Sequence, residues 1–352
     1  MTTLFDPLQL GELKLANRVV MAPMTRSRAD AAAMPTALMV EYYRQRAGAG
    51  LIVAEGTAPS PHGLGYSRTP GIYNEAQVAA WREVTAAVRG EGGLIALQLM
   101  HCGRVGSQLN KPAGARTVAP SALRAAGQIY TDAAGMQEQD LPQALSLEEI
   151  AGVVAEYARA TQYALDAGFD AVELHCTSGY LPMQFLAENS NQRSDAYGGS
   201  VDKRARFVIE TLQAISAVAG GGRVGMRICP GNPFNDVVDS DPAATYAALL
   251  AGAAPLQLAY LHVMRSPLRS FDAFAMARSH FKGGLILNDG FDAARAAKAL
   301  GEARGEAVSF GRHFIGNPDL VRRLREQLPL AGFNDKTLYT PGAQGYTDYP
   351  VA

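Results

Sequence analysis

Cysteine is scarce in this chain, and that scarcity limits what the protein can be. Its 352 residues include only Cys102, Cys176 and Cys229. The number is odd and no pair has C-x-x-C spacing. This pattern argues against a disulfide framework or a structural zinc site, and it predicts a reducing, cytoplasmic location.

Charge of one sign and long apolar runs are also missing. The formal net charge is −1, so neither nucleic acid nor an anionic membrane is expected as a partner. No stretch reaches the roughly 18 uninterrupted apolar residues that a membrane span needs. Residues 1–10 include Asp6, have no basic start and contain no long apolar run, so no signal peptide is expected.

Short apolar runs alternate with helical patterns along the whole chain. The predicted strands are 19–22, 51–54, 94–99, 171–174, 224–228, 258–263, 284–287 and 306–310. Parallel strands need long crossovers, so eight such units predict a closed (β/α)₈ TIM barrel formed by one domain, residues 1–352. An open doubly wound sheet is disfavoured, because the first strand runs into Pro23, Met24 and Thr25 where that fold needs G-x-G-x-x-G.

Two segments lie outside the repeating pattern. Residues 5–15 alternate around Gly11 and predict a small β-hairpin that plugs one end of the barrel. Residues 103–145, after the third strand, form a long excursion with little periodicity. Loops of this length inside a compact domain are usually functional, so a lid is expected here.

The stretch 170–199 is the most informative part of the sequence. A short apolar run, interrupted only by Glu173, leads directly into His175, Ser178 and Tyr180. Catalytic groups of TIM barrels lie at the carboxyl ends of the strands. We therefore interpret these residues as part of an active site.

Other predicted strands end in polar residues or glycines that would meet at the same face. These ends are Thr25, Gly56, Gln98, Met100, His101, Arg227, His262, Asn288, Asp289, Gly290, Gly311 and Arg312. The last two strands end in glycines followed by Arg312, a combination of free backbone N–H groups and a cation that predicts a phosphate site. The phosphate could belong to a cofactor or to a substrate.

Three other chemistries fit these strand ends less well. A Schiff-base aldolase needs a lysine at a strand end, and every lysine falls elsewhere. A metal-dependent hydrolase lacks a His pair on the first strand and has few carboxylates nearby, so no metal site is predicted. Isomerisation of a phosphorylated sugar stays open, with Asp289 as its only candidate base.

Several long segments resemble the old yellow enzyme family of flavin-dependent ene-reductases, in its soluble bacterial branch. They include LFDPLQLGELKLANRVVMAPMTRSRA, EYYRQRAGAGLIVAEGT, QFLAENSNQRSDAYGGS and SFGRHFIGNPDL, which are spread over nearly the whole length. The resemblance implies an FMN-bound barrel in which NADPH or NADH reduces the flavin. The flavin then passes hydride to the β carbon of an alkene activated by a carbonyl or nitro group.

The resemblance also implies which residues bind FMN. Thr25 is expected near the flavin O4, and Gln98 and Arg227 at the pyrimidine edge, where Arg227 offsets negative charge on the reduced ring. Pro23, Met24 and Gly56 are expected to line the ring. Gly290, Gly311 and Arg312 are expected to bind the phosphate, with Asn288 and Asp289 beside them. The Asp289 carboxylate is expected to turn away from the phosphate, which would repel it, or to bind the ribityl hydroxyls.

On the substrate side, His175 and Ser178 are expected to hydrogen-bond the activating carbonyl, and Tyr180 to protonate the α carbon. The pocket walls are expected to be Tyr66, Met100, Phe234 and Tyr339. His101 and His262 are interpreted as structural.

The chain departs from the family pattern at three positions. Ser178 stands where Asn or His is usual, Met100 where Trp is common, and Asp289 where glycine is usual. A serine is a shorter anchor than Asn or His. The alternative function is therefore a flavin-bound homologue that acts as a specialised isomerase or mainly binds ligands.

Overall fold

The computed structural model describes residues 2–352, so Met1, the first residue of the predicted domain, lies outside the described part. The strands are β1 (Leu8–Leu10), β2 (Leu13–Leu15), β3 (Val19–Met21), β4 (Leu51–Val53), β5 (Ile95–Leu99), β6 (Val118–Ala119), β7 (Gln128–Thr131), β8 (Gly135–Glu138), β9 (Gln143–Ala144), β10 (Ala171–Cys176), β11 (Val224–Ile228), β12 (Tyr260–Met264), β13 (Gly284–Asn288) and β14 (Ala307–Phe310). The α-helices are α1 (Ala37–Arg44), α2 (Glu75–Gly90), α3 (Leu147–Asp166), α4 (Leu181–Leu186), α5 (Val201–Ala219), α6 (Pro242–Ala253), α7 (Ala273–His280), α8 (Ala293–Gly301), α9 (Arg312–Gly316) and α10 (Leu320–Glu326).

Eight parallel strands close into a barrel, as the sequence predicts. Their order is β3, β4, β5, β10, β11, β12, β13 and β14, and β14 pairs back with β3. Each strand is buried on both faces, which explains why the strands read as nearly continuous apolar runs. All eight carboxyl ends therefore open on the same side of the barrel.

The N-terminal hairpin closes the opposite end of the barrel, which confirms the predicted plug. Strands β1 and β2 pair antiparallel, and Leu10, Leu13 and Leu15 pack in one cluster with residues from the barrel interior such as Val20 and Ile286. The amide of Glu12 also donates a hydrogen bond of 2.8 Å to the carbonyl of Gly222. The hairpin thus removes the apolar bottom of the barrel from water.

Helices cover the outside of the barrel and begin at sequence-encoded caps. The α3 helix begins with the predicted capping box, in which Ser146 and Glu149 bond reciprocally to each other's backbone amides. Asn74 caps α2, and Asp241 and Asp292 cap α6 and α8. Three helices, α4, α7 and α9, were not predicted; they have six, eight and five residues, too short for a clear periodic signal.

The long excursion after the third barrel strand is present, but it carries structure that the sequence did not predict. Its β7 and β8 form an antiparallel hairpin, and β6 pairs with β9. On β7, Ile129 and Thr131 are buried while Gln128 and Tyr130 are exposed. In residues 2–352 we find no helix with both the length and the hydropathy to cross a membrane.

The plug gives the first testable prediction. Replacing Leu13, which is 5% exposed, by alanine removes apolar contacts from the closed end of the barrel. We expect Leu13→Ala to lower the free energy of unfolding by about 2–4 kcal/mol, as buried leucine truncations do. The measurement is urea denaturation followed by circular dichroism.

The matched control is Lys14→Ala, because Lys14 lies on the same strand but points to solvent. A surface change of this kind should stay within about 0.5 kcal/mol of the parent protein. Equal effects of the two variants would mean that the hairpin does not stabilise the barrel through its apolar face.

Candidate active site

A cavity of about 920 Å³ lies over the carboxyl ends of the barrel strands. It gathers many of the residues predicted from the sequence: Pro23, Thr25, Gly56, Tyr66, Gln98, Met100, His175, Ser178, Tyr180, Arg227, Phe234 and Tyr339. A second cavity of about 920 Å³ shares Tyr66, Ser67, Arg68 and Asp132 with it, but is otherwise lined by loops outside the barrel. The first cavity is therefore the candidate active site.

His175 lies at the end of β10 with its side chain in this cavity. Burial, and then the positive charge of Arg227, lower the pKa of His175 to about 3. The imidazole is therefore neutral at physiological pH. Its Nδ1 is buried and has no hydrogen-bond partner among residues 2–352, so it can bind a ligand.

Ser178 lies in the turn after β10, where the backbone has an unusual conformation. Its φ is +58°, and the following Gly179 has a φ of +74°. A side chain at Gly179 would come within 2.4 Å of the carbonyl oxygen of Phe234, so glycine is required there. Asn235 fixes the turn further, since its Nδ2 donates a 2.8 Å hydrogen bond to the carbonyl of Ser178.

Tyr180 follows this turn and forms a pair with Tyr66. The two phenol oxygens are 3.1 Å apart, and the rings meet edge to face. Burial raises the pKa of Tyr66 to about 12 and the pKa of Tyr180 well above its usual value. Both phenols therefore stay protonated at neutral pH, and Tyr180 remains a proton donor over a wide pH range.

Arg227 belongs to a buried polar layer directly beneath the cavity. Its Nη2 donates to Asn288 Oδ1 at 2.7 Å, and its Nη1 lies 2.9 Å from His262 Nε2. Its Nε is buried without a partner among the described residues. Among residues 2–352, Nε is thus the one nitrogen of the Arg227 guanidinium without a partner, and it is available to a ligand.

Glu173 and His262 complete this layer, and the sequence did not assign them a part in the site. Glu173 Oε1 accepts a 2.8 Å hydrogen bond from Gln98 Nε2, and its Oε2 lies 2.9 Å from His262 Nδ1. One feature of the sequence could have indicated Glu173. Residues two positions apart on a strand point to the same face, and Glu173 lies two positions before the predicted strand-end residue His175. His262 is fully buried and also contacts Arg227, and its interpretation as a structural residue stays a prediction.

The predicted phosphate residues lie at the carboxyl ends of β13 and β14, and none of Gly290, Gly311 and Arg312 lines the cavity. Gly290, with a φ of +73°, follows β13, and Gly311 precedes α9 at the end of β14. An added Cβ at Gly311 would meet only Met24 within 4 Å, with its Sδ at 3.4 Å. Arg312 is exposed and forms no ion pair with the rest of residues 2–352.

Arg265 is a second cation at this corner that the sequence analysis missed. Its guanidinium stacks over the rings of Phe274 and Phe291, at 5.0 and 5.4 Å from their centres. Its Nε lies 3.5 Å from the position that a Cβ on Gly290 would take. No sequence pattern marks Arg265, because its stacking partners come from later segments of the chain.

Asp289 is exposed, and its backbone lies in the left-handed region with a φ of +76°. Glycine adopts this conformation without strain, which accounts for the glycine usual at this position in the family that the sequence resembles. The direction of the Asp289 carboxylate relative to a phosphate stays a prediction.

The mouth of the cavity is formed partly by the C-terminal segment. Phe234 and Tyr339 line it, but they are 58% and 60% exposed. The segment is held by Arg28, whose Nη1 and Nη2 donate to the carbonyls of Leu338 and Thr337 at 2.6 and 2.8 Å. Its position therefore depends on an arginine more than 300 residues earlier in the chain.

The residues at the cavity and at the ends of β13 and β14 are suited to bind an FMN. Arg227 Nε and His175 Nδ1 are unpaired polar atoms at a cavity large enough for a flat ring. Gly56 leaves no room for a side chain, since an added Cβ would be 2.4 Å from Met100 Sδ. The open space over Gly290 and Gly311, with two cations nearby, suits a phosphate.

Comparison with known proteins agrees with this geometry. Residues 3–331 match the NADH:flavin oxidoreductase / NADH oxidase family. A probable flavin mononucleotide-dependent alkene reductase of Leishmania infantum is 41% identical, over 99% of this chain and 97% of its own length. A 12-oxophytodienoate reductase 7 of Oryza sativa subsp. japonica is 36% identical over 99% of this chain and 94% of its own.

Solved structures give the same result. Morphinone reductase in complex with tetrahydroNAD is 44% identical and superimposes with a TM-score of 0.96, covering 100% of this chain and 98% of the other. The old yellow enzyme homologue from Zymomonas mobilis is 39% identical with a TM-score of 0.96, covering 100% of both chains. This chain therefore belongs to the NADH:flavin oxidoreductase / NADH oxidase family, the family of old yellow enzyme, and is an FMN-dependent alkene reductase that takes its electrons from a reduced nicotinamide nucleotide.

Proposed function

We propose that residues 1–352 form a single FMN-binding domain in which His175, Ser178 and Tyr180 carry out the reduction of α,β-unsaturated carbonyl or nitro compounds. The observation that carries this proposal is the cluster of a neutral His175, a protonated Tyr180 and an unpaired Arg227 Nε around one cavity. When bound, FMN supplies the hydride that the β carbon receives. Residues of the protein carry out the other steps.

His175 and Ser178 bind the activating oxygen of the substrate. Neutral imidazole and hydroxyl groups donate hydrogen bonds without placing a full charge in the cavity. Such bonds strengthen as negative charge develops on the oxygen during the reaction. Binding therefore activates the double bond as well as orienting it.

Tyr180 then donates its proton to the α carbon. Its hydroxyl is held by Tyr66, which is only half-buried and also lines the second cavity, so Tyr66 can return a proton from solvent. Gln98, Arg227 and Thr25 bind the polar edge of the flavin. Pro23, Met24 and Gly56 line its ring, and Gly290, Gly311 and Arg312 bind its phosphate. Asn288 and Asp289 lie beside that site, and the Asp289 carboxylate turns away from the phosphate or binds the ribityl hydroxyls.

A cytoplasmic location is part of the proposal. All three cysteines are free thiols buried in the fold, which suits a reducing compartment. The alternative of an isomerase or a ligand-binding protein is not favoured, because the relatives compared are alkene and 12-oxophytodienoate reductases.

The first test is a visible spectrum under anaerobic conditions. Addition of NADPH or NADH should bleach the flavin band, and a cyclic enone added afterwards should restore it. Bleaching without return would contradict reduction of simple enones. A colourless protein that FMN cannot reconstitute would contradict the proposed site as a whole.

Replacing Tyr180 by phenylalanine tests the proton donor. We expect flavin reduction by the nicotinamide nucleotide to stay near the parent rate, and flavin reoxidation by the enone to slow by about 10²–10⁴-fold, the usual contribution of a general acid. Stopped-flow absorbance separates the two half-reactions.

Tyr66→Phe is the matched control, because it removes the hydroxyl next to Tyr180 and leaves the donor in place. It should slow reoxidation much less than Tyr180→Phe. If Tyr180→Phe reoxidises at the parent rate, the proton comes from another group.

Replacing Ser178 by asparagine tests the substrate anchor. Asparagine tolerates the left-handed backbone at this position and reaches further into the cavity than serine. We expect Ser178→Asn to raise kcat/KM for a simple cyclic enone, by up to about tenfold for one recovered hydrogen bond. Ser178→Ala is the control and should lower it. A lower kcat/KM in the asparagine variant would mean that Ser178 suits a different substrate.

A further inference from the structure

Glu173 is a buried carboxylate in the interior of the barrel with no part in the steps above. Its side chain is fully buried, and it lies on β10 two residues before His175. A buried charge is costly unless it is paired, and apolar replacements of buried ion pairs are often neutral or stabilising. Stability alone therefore does not account for a glutamate here.

The contacts of Glu173 reach both proposed partners of the flavin edge. The strand register places Glu173 beside Gln98 on β5, and Arg227 beside His262 on β12. Glu173 Oε1 accepts from Gln98 Nε2 at 2.8 Å, and Glu173 Oε2 lies 2.9 Å from His262 Nδ1. One carboxylate thus contacts Gln98 directly and Arg227 through one imidazole.

The contact with Gln98 determines which way its amide faces. An ionised carboxylate only accepts hydrogen bonds, so Gln98 must turn its Nε2 towards Glu173. The Oε1 and the second Nε2 hydrogen of Gln98 then point away from Glu173, and Gln98 lines the cavity. Glu173 therefore sets the pattern of donor and acceptor that Gln98 offers to a ligand.

The contact with His262 determines its tautomer. Because Glu173 accepts, His262 carries its proton on Nδ1, and its Nε2 can accept from Ser309 Oγ at 2.7 Å. Arg227 Nη1 lies 2.9 Å from Nε2 and 3.2 Å from Nδ1, so it contacts the face of the imidazole. A doubly protonated His262 would face the Arg227 cation. Burial and that cation lower the pKa of His262 to about 4, in agreement with a neutral ring.

Glu173 is then the anion that balances Arg227 in the layer. Burial raises its pKa, but the charge of Arg227 and the hydrogen bonds with His262 and Gln98 act against burial, and the net direction is downward. The carboxylate stays ionised at neutral pH. Its negative charge partly offsets the positive field of Arg227 at the cavity.

We infer that Glu173 is a positioning residue that orients Gln98 and partly offsets the positive charge of Arg227. It thereby sets both the affinity for FMN and the reduction potential of the bound flavin. This inference rests on the proposed contacts of Gln98 and Arg227 with the flavin. Reduced flavin carries negative charge, so a weaker counter-anion near Arg227 favours the reduced state.

Two substitutions separate the two effects. Glu173→Gln keeps the shape and one of the two acceptor oxygens but removes the charge, and it should move the midpoint potential of bound FMN to more positive values. Glu173→Asp keeps the charge but is shorter by one methylene, so its contact with Gln98 should be lost. We expect it to bind FMN about tenfold more weakly, at a potential close to that of the parent protein.

Glu55→Gln is the matched control. Glu55 is equally buried, but it bonds Tyr43 and the backbone of Arg26, outside the layer. Burial raises the pKa of Glu55 to about 7, so a neutral glutamine resembles its protonated form. This variant should leave both the affinity and the potential unchanged.

The measurements are fluorescence titration of the apoprotein with FMN and spectroelectrochemistry of the FMN-loaded protein, with Gln98→Ala and Arg227→Lys included. If neither of these two variants changes the affinity or the potential, the proposed flavin contacts fail. Suppose instead that Gln98→Ala and Arg227→Lys change the affinity or the potential, but Glu173→Gln keeps the parent potential and Glu173→Asp keeps the parent affinity. Then only the role of Glu173 is overturned.

Discussion

The positive charge of Arg227 inside the barrel is the constraint on which the site depends. A guanidinium this deep must have its donors satisfied and its charge balanced, and the neighbouring strands provide both. Asn288 accepts a hydrogen bond from it, His262 lies against it, and Glu173 supplies the opposite charge. Within residues 2–352, Nε is the one guanidinium nitrogen without a partner, and it marks where a ligand completes the arrangement.

The barrel interior is consequently built in layers along its axis. At the closed end, the leucines of the N-terminal hairpin pack on small and branched residues such as Ala96 and Ile286. Two residues further along the same strands, the interior turns polar with Gln98 and Asn288. Above that layer the strands end and the cavity opens. The apolar plug keeps water from the polar layer, which strengthens its electrostatic interactions.

Much of this was predictable because it depends on short-range patterns. Alternating apolar runs and helix caps such as Ser146 with Glu149 predicted the eight barrel units, and the structure has them. Polar residues at strand ends predicted the lining of the cavity. The roles of those residues in catalysis and in FMN binding stay predictions.

The residues that were missed act through contacts between distant segments. Arg265 stacks on Phe274 and Phe291, and Arg28 holds the segment that carries Tyr339, pairings that no local pattern shows. The hairpin of β7 and β8 likewise has only four residues in each strand.

By itself the sequence determined the order of strands and helices, because hydrophobic periodicity and capping act over a few residues. It also determined which side chains stand at the strand ends. Only the tertiary structure decided the charge states of His175 and Glu173, since these depend on burial and on Arg227 from another strand. It also decided that Tyr66 meets Tyr180, because closure of the barrel brings together hydroxyls that are 114 residues apart in the chain.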